Sequence, residues 1–136
     1  MKGQCLCGSI EVIAPDTTGI DVCHCSTCRR WSGGPMLAVH VGSEVTFAGD
    51  DPGVFQSSDW AERGFCRSCG THLFYHLKEN GEYILPAGLF SEGEFSMNSE
   101  IFIDEKPDYY TFSNDTQKMT GAEVFAMFAG ESADNS

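Results

Sequence analysis

The sequence predicts a mainly β chain of several small sheets, held together by metal-binding knuckles and carrying one short helix near its C-terminus. Two observations predict the strands and the knuckles. Apolar residues come in short runs separated by turn residues, the pattern of strands rather than long helices. Seven cysteines fall into three tight clusters, Cys5/Cys7, Cys23/Cys25/Cys28 and Cys66/Cys69, with chelate spacing inside each. A third observation limits the helix content: helical periodicity is confined to one stretch after Thr120.

The expected strands are Ser9–Ile13, Ile20–Cys23, Met36–Val41, Val45–Ala48, Gly53–Gln56, Gly64–Cys66, Thr71–His76, Tyr83–Leu85 and Glu100–Ile103. Val41-Gly42-Ser43-Glu44 and Glu79-Asn80-Gly81-Glu82 read as hairpin turns, the second with an Asn-Gly pair suited to positive φ. Pro15-Asp16, Gly49-Asp50-Asp51-Pro52-Gly53 and Lys106-Pro107-Asp108 read as loops. Thr120 with Glu123 forms a capping box. Val124, Phe125 and Phe128 then supply an apolar face, and Gly130 is expected to stop the helix. A chain of 136 residues predicts one domain, over 1–130, with a disordered polar tail over 131–136.

Charge excludes several functions. The formal net charge is −12, from 20 acidic and 8 basic residues. Such a surface repels nucleic acid, whose affinity comes from neutralising phosphates, and it avoids anionic membranes. There is no 18-residue apolar run, and Met1-Lys2-Gly3-Gln4-Cys5 lacks the apolar stretch of a signal peptide. The expected location is the cytoplasm, where an odd set of thiols stays reduced and disulfides explain the clusters poorly.

Seven thiols divide as four and three. Four complete a tetrahedral zinc site; three leave a second zinc with one open position. The pairs Cys5/Cys7 and Cys66/Cys69 are each followed at once by glycine, Gly8 and Gly70, which permits the positive φ of a chelating turn. The middle cluster instead runs into Arg29-Arg30-Trp31. We therefore expect the two glycine-stopped pairs to share a closed site and Cys23, Cys25 and Cys28 to hold an open one. A rival partition, Cys25/Cys28 with Cys66/Cys69, needs a gap of 37 residues where about 15–20 is usual, and strands three thiols. Buried free cysteines leave the clustering unexplained, whereas two purely structural zincs remain a standing alternative.

Every arginine, Arg29, Arg30, Arg63 and Arg67, lies within three positions of a cysteine. Seven thiolates outweigh the charge of two zinc ions, so these cations fit charge compensation; Arg29 or Arg30 would equally suit the carboxylates of an anionic thiol. The histidines, His24, His40, His72 and His76, read as packing or surface residues, since zinc has no need of them beside seven thiolates. Trp31 and Trp60 read as core or pocket wall.

The segments Gly3-Gln4-Cys5-Leu6-Cys7-Gly8, Cys23-His24-Cys25-Ser26-Thr27-Cys28 and Arg63-Gly64-Phe65-Cys66-Arg67-Ser68-Cys69-Gly70-Thr71-His72-Leu73 resemble, in that order, the glutathione-dependent formaldehyde-activating enzyme family, which also contains centromere protein V. Ala87-Gly88-Leu89-Phe90 and the stretch from Ile101 to Tyr109 extend the resemblance to most of the chain, about Gly3 to Asp115. The resemblance implies a β-tent of small curled antiparallel sheets, a structural zinc on Cys5, Cys7, Cys66 and Cys69, and a second zinc on Cys23, Cys25 and Cys28. It implies a carbon–sulfur lyase-type activity, joining glutathione to formaldehyde, with Cys25 able to leave zinc and form a mixed disulfide. Tyr109, His72 and Leu89-Phe90 stand where the family more often has Trp, Pro and Leu-Asp. Those departures touch the substrate pocket and spare every ligand.

The expected function is thus a zinc enzyme acting on glutathione, or a similar thiol, and a small aldehyde or other electrophile. Cys25 is its catalytic ligand, Arg29 and Arg30 hold the thiol's carboxylates, and Trp31 lines the pocket. A non-catalytic glutathione or zinc carrier, or a redox sensor releasing zinc on oxidation, is the second reading. A chromatin-type module is disfavoured by the acidic charge. The oligomeric state, monomer or homodimer, is left open.

Overall fold

Alternation of apolar and polar residues decides which face of each strand is buried. Ile10 and Val12 are wholly buried while Glu11 and Ile13 face outward. The computed structural model describes residues 1–134, with side chains through residue 128. In chain order the elements are β1 (Lys2–Gln4), β2 (Ile10–Ile13), β3 (Gly19–Cys23), α1 (Ser26–Ser32), β4 (Met36–Gly42), β5 (Thr46–Gly49), β6 (Gly53–Phe55), β7 (Ala61–Phe65), β8 (His72–Leu77), β9 (Tyr83–Pro86), β10 (Ser96–Ile101), β11 (Gln117–Met119) and α2 (Gly121–Asp134). Short 3₁₀ turns cover Ala87–Leu89 and Ile103–Glu105. The chain is mainly β, as expected. It divides into two compact units, each assembled from separated stretches: Met1–Ile20 with Ala38–Ser96, and Asp21–Leu37 with the chain from Met97 onward.

In the first unit, β1, β2 and β5 form a small antiparallel sheet, with Gly3 opposite Val12 and Ile10 opposite Gly49. A second antiparallel run follows the order β4-β9-β8-β7-β6. Val39, Leu73 and Leu85 are its fully buried centre. The Asn80-Gly81 turn closes the β8–β9 hairpin, with Tyr75 opposite Ile84. The expected hairpin at Val41–Glu44 does not form: β4 pairs with β9, and β5 pairs with β2. That turn has only Gly42 at positive φ and lacks the paired positive-φ residues that fold a strand straight back.

Close approach explains a glycine inside β7. Gly64 stands opposite Phe74, whose ring lies over it; a Cβ there would sit 2.0 Å from a ring carbon. The ring supplies the cover that the glycine lacks.

In the second unit, β10 lies between β3 and β11, and the β10–β11 pairing is parallel, with Ser99 opposite Gln117. The capping box forms: Glu123 N–H donates to Thr120 Oγ1 at 3.1 Å and Thr120 N–H to Glu123 Oε1 at 3.2 Å. Two expectations for α2 are corrected. Val124 is buried, but Phe125 and Phe128 are 62% and 48% exposed, Phe125 meeting only Phe102 edge-on among the ring contacts. The helix also continues through Gly130 to Asp134, since glycine within a helix costs only about 1 kcal/mol and terminates it only when it turns left-handed. The last two residues of the expected tail lie outside the described residues. Among the described residues no helix is long and apolar enough to cross a membrane.

Two outcomes follow from these contacts. Gly64→Ala forces a methyl group into the Phe74 ring and should lower stability by about 1–3 kcal/mol in chemical denaturation. His72 gives a pH dependence. Burial, aided by the charge of Arg63, holds its imidazole down to about 4, and its Nε2–H donates to the Phe74 carbonyl at 3.1 Å. The unfolded chain protonates that ring near pH 6.5, while the fold resists until about 4. Its contribution is therefore intact above pH 6.5 and declines as pH falls through that window, by about 1.4 kcal/mol per pH unit. Denaturant midpoints of wild type and His72→Gln should diverge across this range; parallel curves would remove His72 from the account.

Candidate metal centres

The outer cysteines are presented by two matching turns. Gly8 N–H returns to Cys5 O at 3.1 Å, and Gly70 N–H returns to Cys66 O at 2.8 Å. Gly8 and Gly70 both adopt φ 80°, the left-handed conformation that glycine reaches without steric penalty. Each turn closes back on its strand, Cys5 N–H to Ile10 O at 3.1 Å and Cys66 N–H to Thr71 O at 2.9 Å. Leu6 N–H donates to Thr71 Oγ1 at 3.0 Å and ties one turn to the other.

The result brings Cys5, Cys7, Cys66 and Cys69 together, all four sulfurs within 4.8 Å of one another. Cys5 and Cys7 are 3.6 Å apart and Cys7 and Cys66 3.8 Å. A tetrahedral ion with metal–sulfur bonds of about 2.3 Å needs sulfurs about 3.8 Å apart, so the set fits one. Polar neighbours favour the Cys5 and Cys69 thiolates; Ser9 also favours ionisation of Cys7, but burial and the Cys5 and Cys69 sulfurs prevail and push that thiol up. Ser9 Oγ lies 3.1 Å from Cys7 and 3.4 Å from Cys66, and Thr71 Oγ1 lies 3.1 Å from Cys69. The Thr71 hydroxyl and backbone N–H groups hold the Cys69 thiol down to about 5. Burial works against ionisation of Cys5, yet the N–H of Ile10 and the Ser9 hydroxyl outweigh it and keep that thiol below its ordinary range.

Cys23, Cys25 and Cys28 form the second group, again within 4.8 Å of one another. Strand β3 delivers Cys23. Cys25 then caps α1: its backbone is extended, and its Sγ accepts the N–H of Cys28 at 3.3 Å. One helical turn returns Cys28 to the same side. This helix was not expected, because cysteine is not among the usual caps and seven residues give little periodicity. Cys23 and Cys28 are buried while Cys25 is half-exposed. The Cys25 and Cys28 sulfurs, with burial, push the Cys23 thiol strongly upward. Three crowded sulfurs cannot all ionise without a cation, and a divalent ion would relieve that repulsion.

Neither group includes a histidine. His40 is exposed, His72 bonds to backbone, and His76 stacks on Tyr83 at 4.1 Å. Of the arginines, Arg29 donates its Nε to His24 O at 3.0 Å; Arg30 and Arg67 are exposed, and Arg63 is buried over the Tyr75 ring. Trp31 is half-buried on α1. His24 differs most from expectation. Its ring is wholly buried, with Nε2 2.9 Å from Glu100 Oε1 and Nδ1 2.7 Å from Tyr110 Oη. Glu100 and Tyr110 are far away in sequence, and no local signal marks them.

The chain is similar to known proteins. A family model described as glutathione-dependent formaldehyde-activating enzyme matches residues 1–105. An uncharacterised lyase of Schizosaccharomyces pombe is 35% identical over 127 residues, covering 90% of this chain and 93% of its own. A Halomonas elongata protein named as a glutathione-dependent formaldehyde-activating enzyme is 23% identical over 123 residues, covering 80% and 78%. A crystal structure of a Rhodobacter sphaeroides protein superposes with a TM-score of 0.55 at 26% identity, covering 68% of this chain and 89% of that one.

The two groups should respond differently to loss of a sulfur. Metal binding to a closed site is folding energy, on the order of 10 kcal/mol, against a total stability of about 5–15 kcal/mol. Cys66→Ser should therefore cost the chain its cooperative fold, whereas Cys25→Ser should keep the fold and lower bound metal by one ion per chain. Elemental analysis with circular dichroism checks both; equal effects of the two changes would contradict the division.

Proposed function

Because the chain belongs to the glutathione-dependent formaldehyde-activating enzyme family, we propose that it is a zinc-dependent, lyase-type enzyme joining glutathione, or a similar thiol, to formaldehyde or another small electrophile. The observation that carries this reading is the inequality in number of the two sulfur groups: four sulfurs gathered within 4.8 Å, enough for a tetrahedron, and three, with a half-buried member at a helix cap, which leave one position to a visitor. Zinc on Cys5, Cys7, Cys66 and Cys69 would be structural; zinc on Cys23, Cys25 and Cys28 would hold an incoming thiol as thiolate at neutral pH, where a free thiol near 8.5 is mostly protonated.

The chain's own residues do the remaining work. Cys25 is the sulfur that a visitor meets first. Arg29 spends its Nε on His24 O, so its two terminal nitrogens are the part offered to a carboxylate, in the paired geometry that guanidinium suits. Arg30, exposed on the next position of α1, suits the second carboxylate of a tripeptide thiol. Trp31 walls the same helix. Balance is simple: the thiol sulfur bonds to the aldehyde carbon, the carbonyl π pair moves to oxygen, and oxygen takes up the proton that the thiol gave up. Holding thiol and aldehyde together is the main catalytic gain.

Exchange spectroscopy on glutathione with isotope-labelled formaldehyde measures adduct formation above the spontaneous rate. Cys25→Ala should return the rate to the spontaneous value with the fold retained. Arg29→Ala should raise KM by about 10- to 100-fold, the worth of a charged hydrogen bond. An unchanged rate in Cys25→Ala would overturn the enzymatic reading. Calorimetric binding of glutathione without any acceleration in the wild type would select a carrier instead.

A further inference from the structure

We propose that His24 is a positioning residue for the open cysteine trio, its ring held between Glu100 and Tyr110; the inference rests on the reading of the trio as an open metal site. The argument begins with where His24 stands. It is the single residue between Cys23 and Cys25, so whatever fixes its backbone fixes the bite of those two sulfurs.

All of its polar groups are engaged. His24 N–H donates to Ile101 O at 3.1 Å, and its carbonyl accepts Arg29 Nε at 3.0 Å. Nε2 lies 2.9 Å from Glu100 Oε1, and Nδ1 lies 2.7 Å from Tyr110 Oη. Glu100 is 1% exposed, and its other oxygen accepts the Thr116 hydroxyl at 2.5 Å, with Lys118 Nζ at 3.7 Å. Burial opposes ionisation of Glu100, yet the hydrogen bonds from Thr116 and His24 prevail and hold its carboxyl below the usual range.

A carboxylate only accepts, so Nε2 carries the hydrogen. Nδ1 and Tyr110 Oη make the ring's second hydrogen bond. Tyr110 is itself fastened: Lys106 Nζ donates to Tyr110 O and sits 5.2 Å from its ring centre. Glu105 Oε1 accepts Ser26 N–H at 3.1 Å, clasping the first turn of α1 from the same segment.

Such bracing matters more to three sulfurs than to four. A closed four-sulfur site is shaped by its own ion and turns. An open site has one direction that no protein sulfur defines, so its geometry must come from neighbours. A ring that merely fills space would behave differently. Its volume would matter and its nitrogens would not.

Nitrogen NMR of the zinc-loaded protein at neutral pH reads the ring directly: a hydrogen on Nε2, bonded to Glu100, is expected, and a bare Nε2 would overturn the proposal. Release of zinc to a chelator supplies the second readout. His24→Leu and Tyr110→Phe should each speed release of one of the two zincs by about tenfold or more and leave the other unchanged. His24→Gln, which keeps a donor for Glu100 and an acceptor for Tyr110, should recover most of the loss. Leu tolerated better than Gln would reduce His24 to packing, and so would equal acceleration of both zincs. Should His24→Leu fail to fold, Tyr110→Phe, which removes one oxygen, still decides. None of these readouts uses thiol or aldehyde. A chain inactive in adduct formation but showing them would lose the enzymatic reading and keep this one; a wild type holding a single zinc would sink the open site and this inference with it.

Discussion

Cys7 and Cys66 meet at 3.8 Å although 59 positions separate them in sequence, and the first unit is organised around that meeting. Two short turns, each ended by a left-handed glycine, aim their sulfurs at a common point. The turns belong to different sheets of that unit: one joins β1 to β2, the other β7 to β8. An ion at that point would act as a tie between the two sheets. Ser9 and Thr71 serve the same end, lowering the cost of gathering negative sulfur in one place.

The second unit meets a different demand. Its three sulfurs come from one strand end and one helical turn, so the local chain can bring them together but cannot complete a tetrahedron. Through His24, which stands between two of them, runs a polar series: a buried carboxylate, a buried imidazole and a half-buried phenol. A buried polar series is favourable only when every member is satisfied, and here each donor has its acceptor. The arrangement therefore adds rigidity where the sulfurs alone would leave slack.

Much of this was legible in the sequence, and the exceptions have physical causes. Gly8 and Gly70 announced the outer turns because a positive φ is a local property that only glycine meets cheaply. Thr120 and Glu123 announced the start of α2 for the same reason. Helix α1 was hidden because its cap is a cysteine and its length is seven residues. Strand β11, Gln117-Lys118-Met119, has no apolar alternation and owes its conformation to β10 beside it. The pairing of β5 with β2 rather than β4 depends on Ser9 and Asp50 meeting across the unit, which no window along the chain reveals. His24 was placed among packing residues because its partners lie 76 and 86 positions away. Local chemistry speaks in the sequence; tertiary hydrogen bonding does not.

The interleaving of the two units sets a timetable for synthesis. Chains emerge from the ribosome N-terminus first. Cys23, Cys25 and Cys28 have all emerged while Cys66 and Cys69 are still unmade, and Glu100 and Tyr110 follow later again. The nascent chain thus has all three sulfurs of the trio in hand first, while Cys5 and Cys7 still await Cys66 and Cys69. The four-sulfur group is assembled second, and the brace on the trio arrives last.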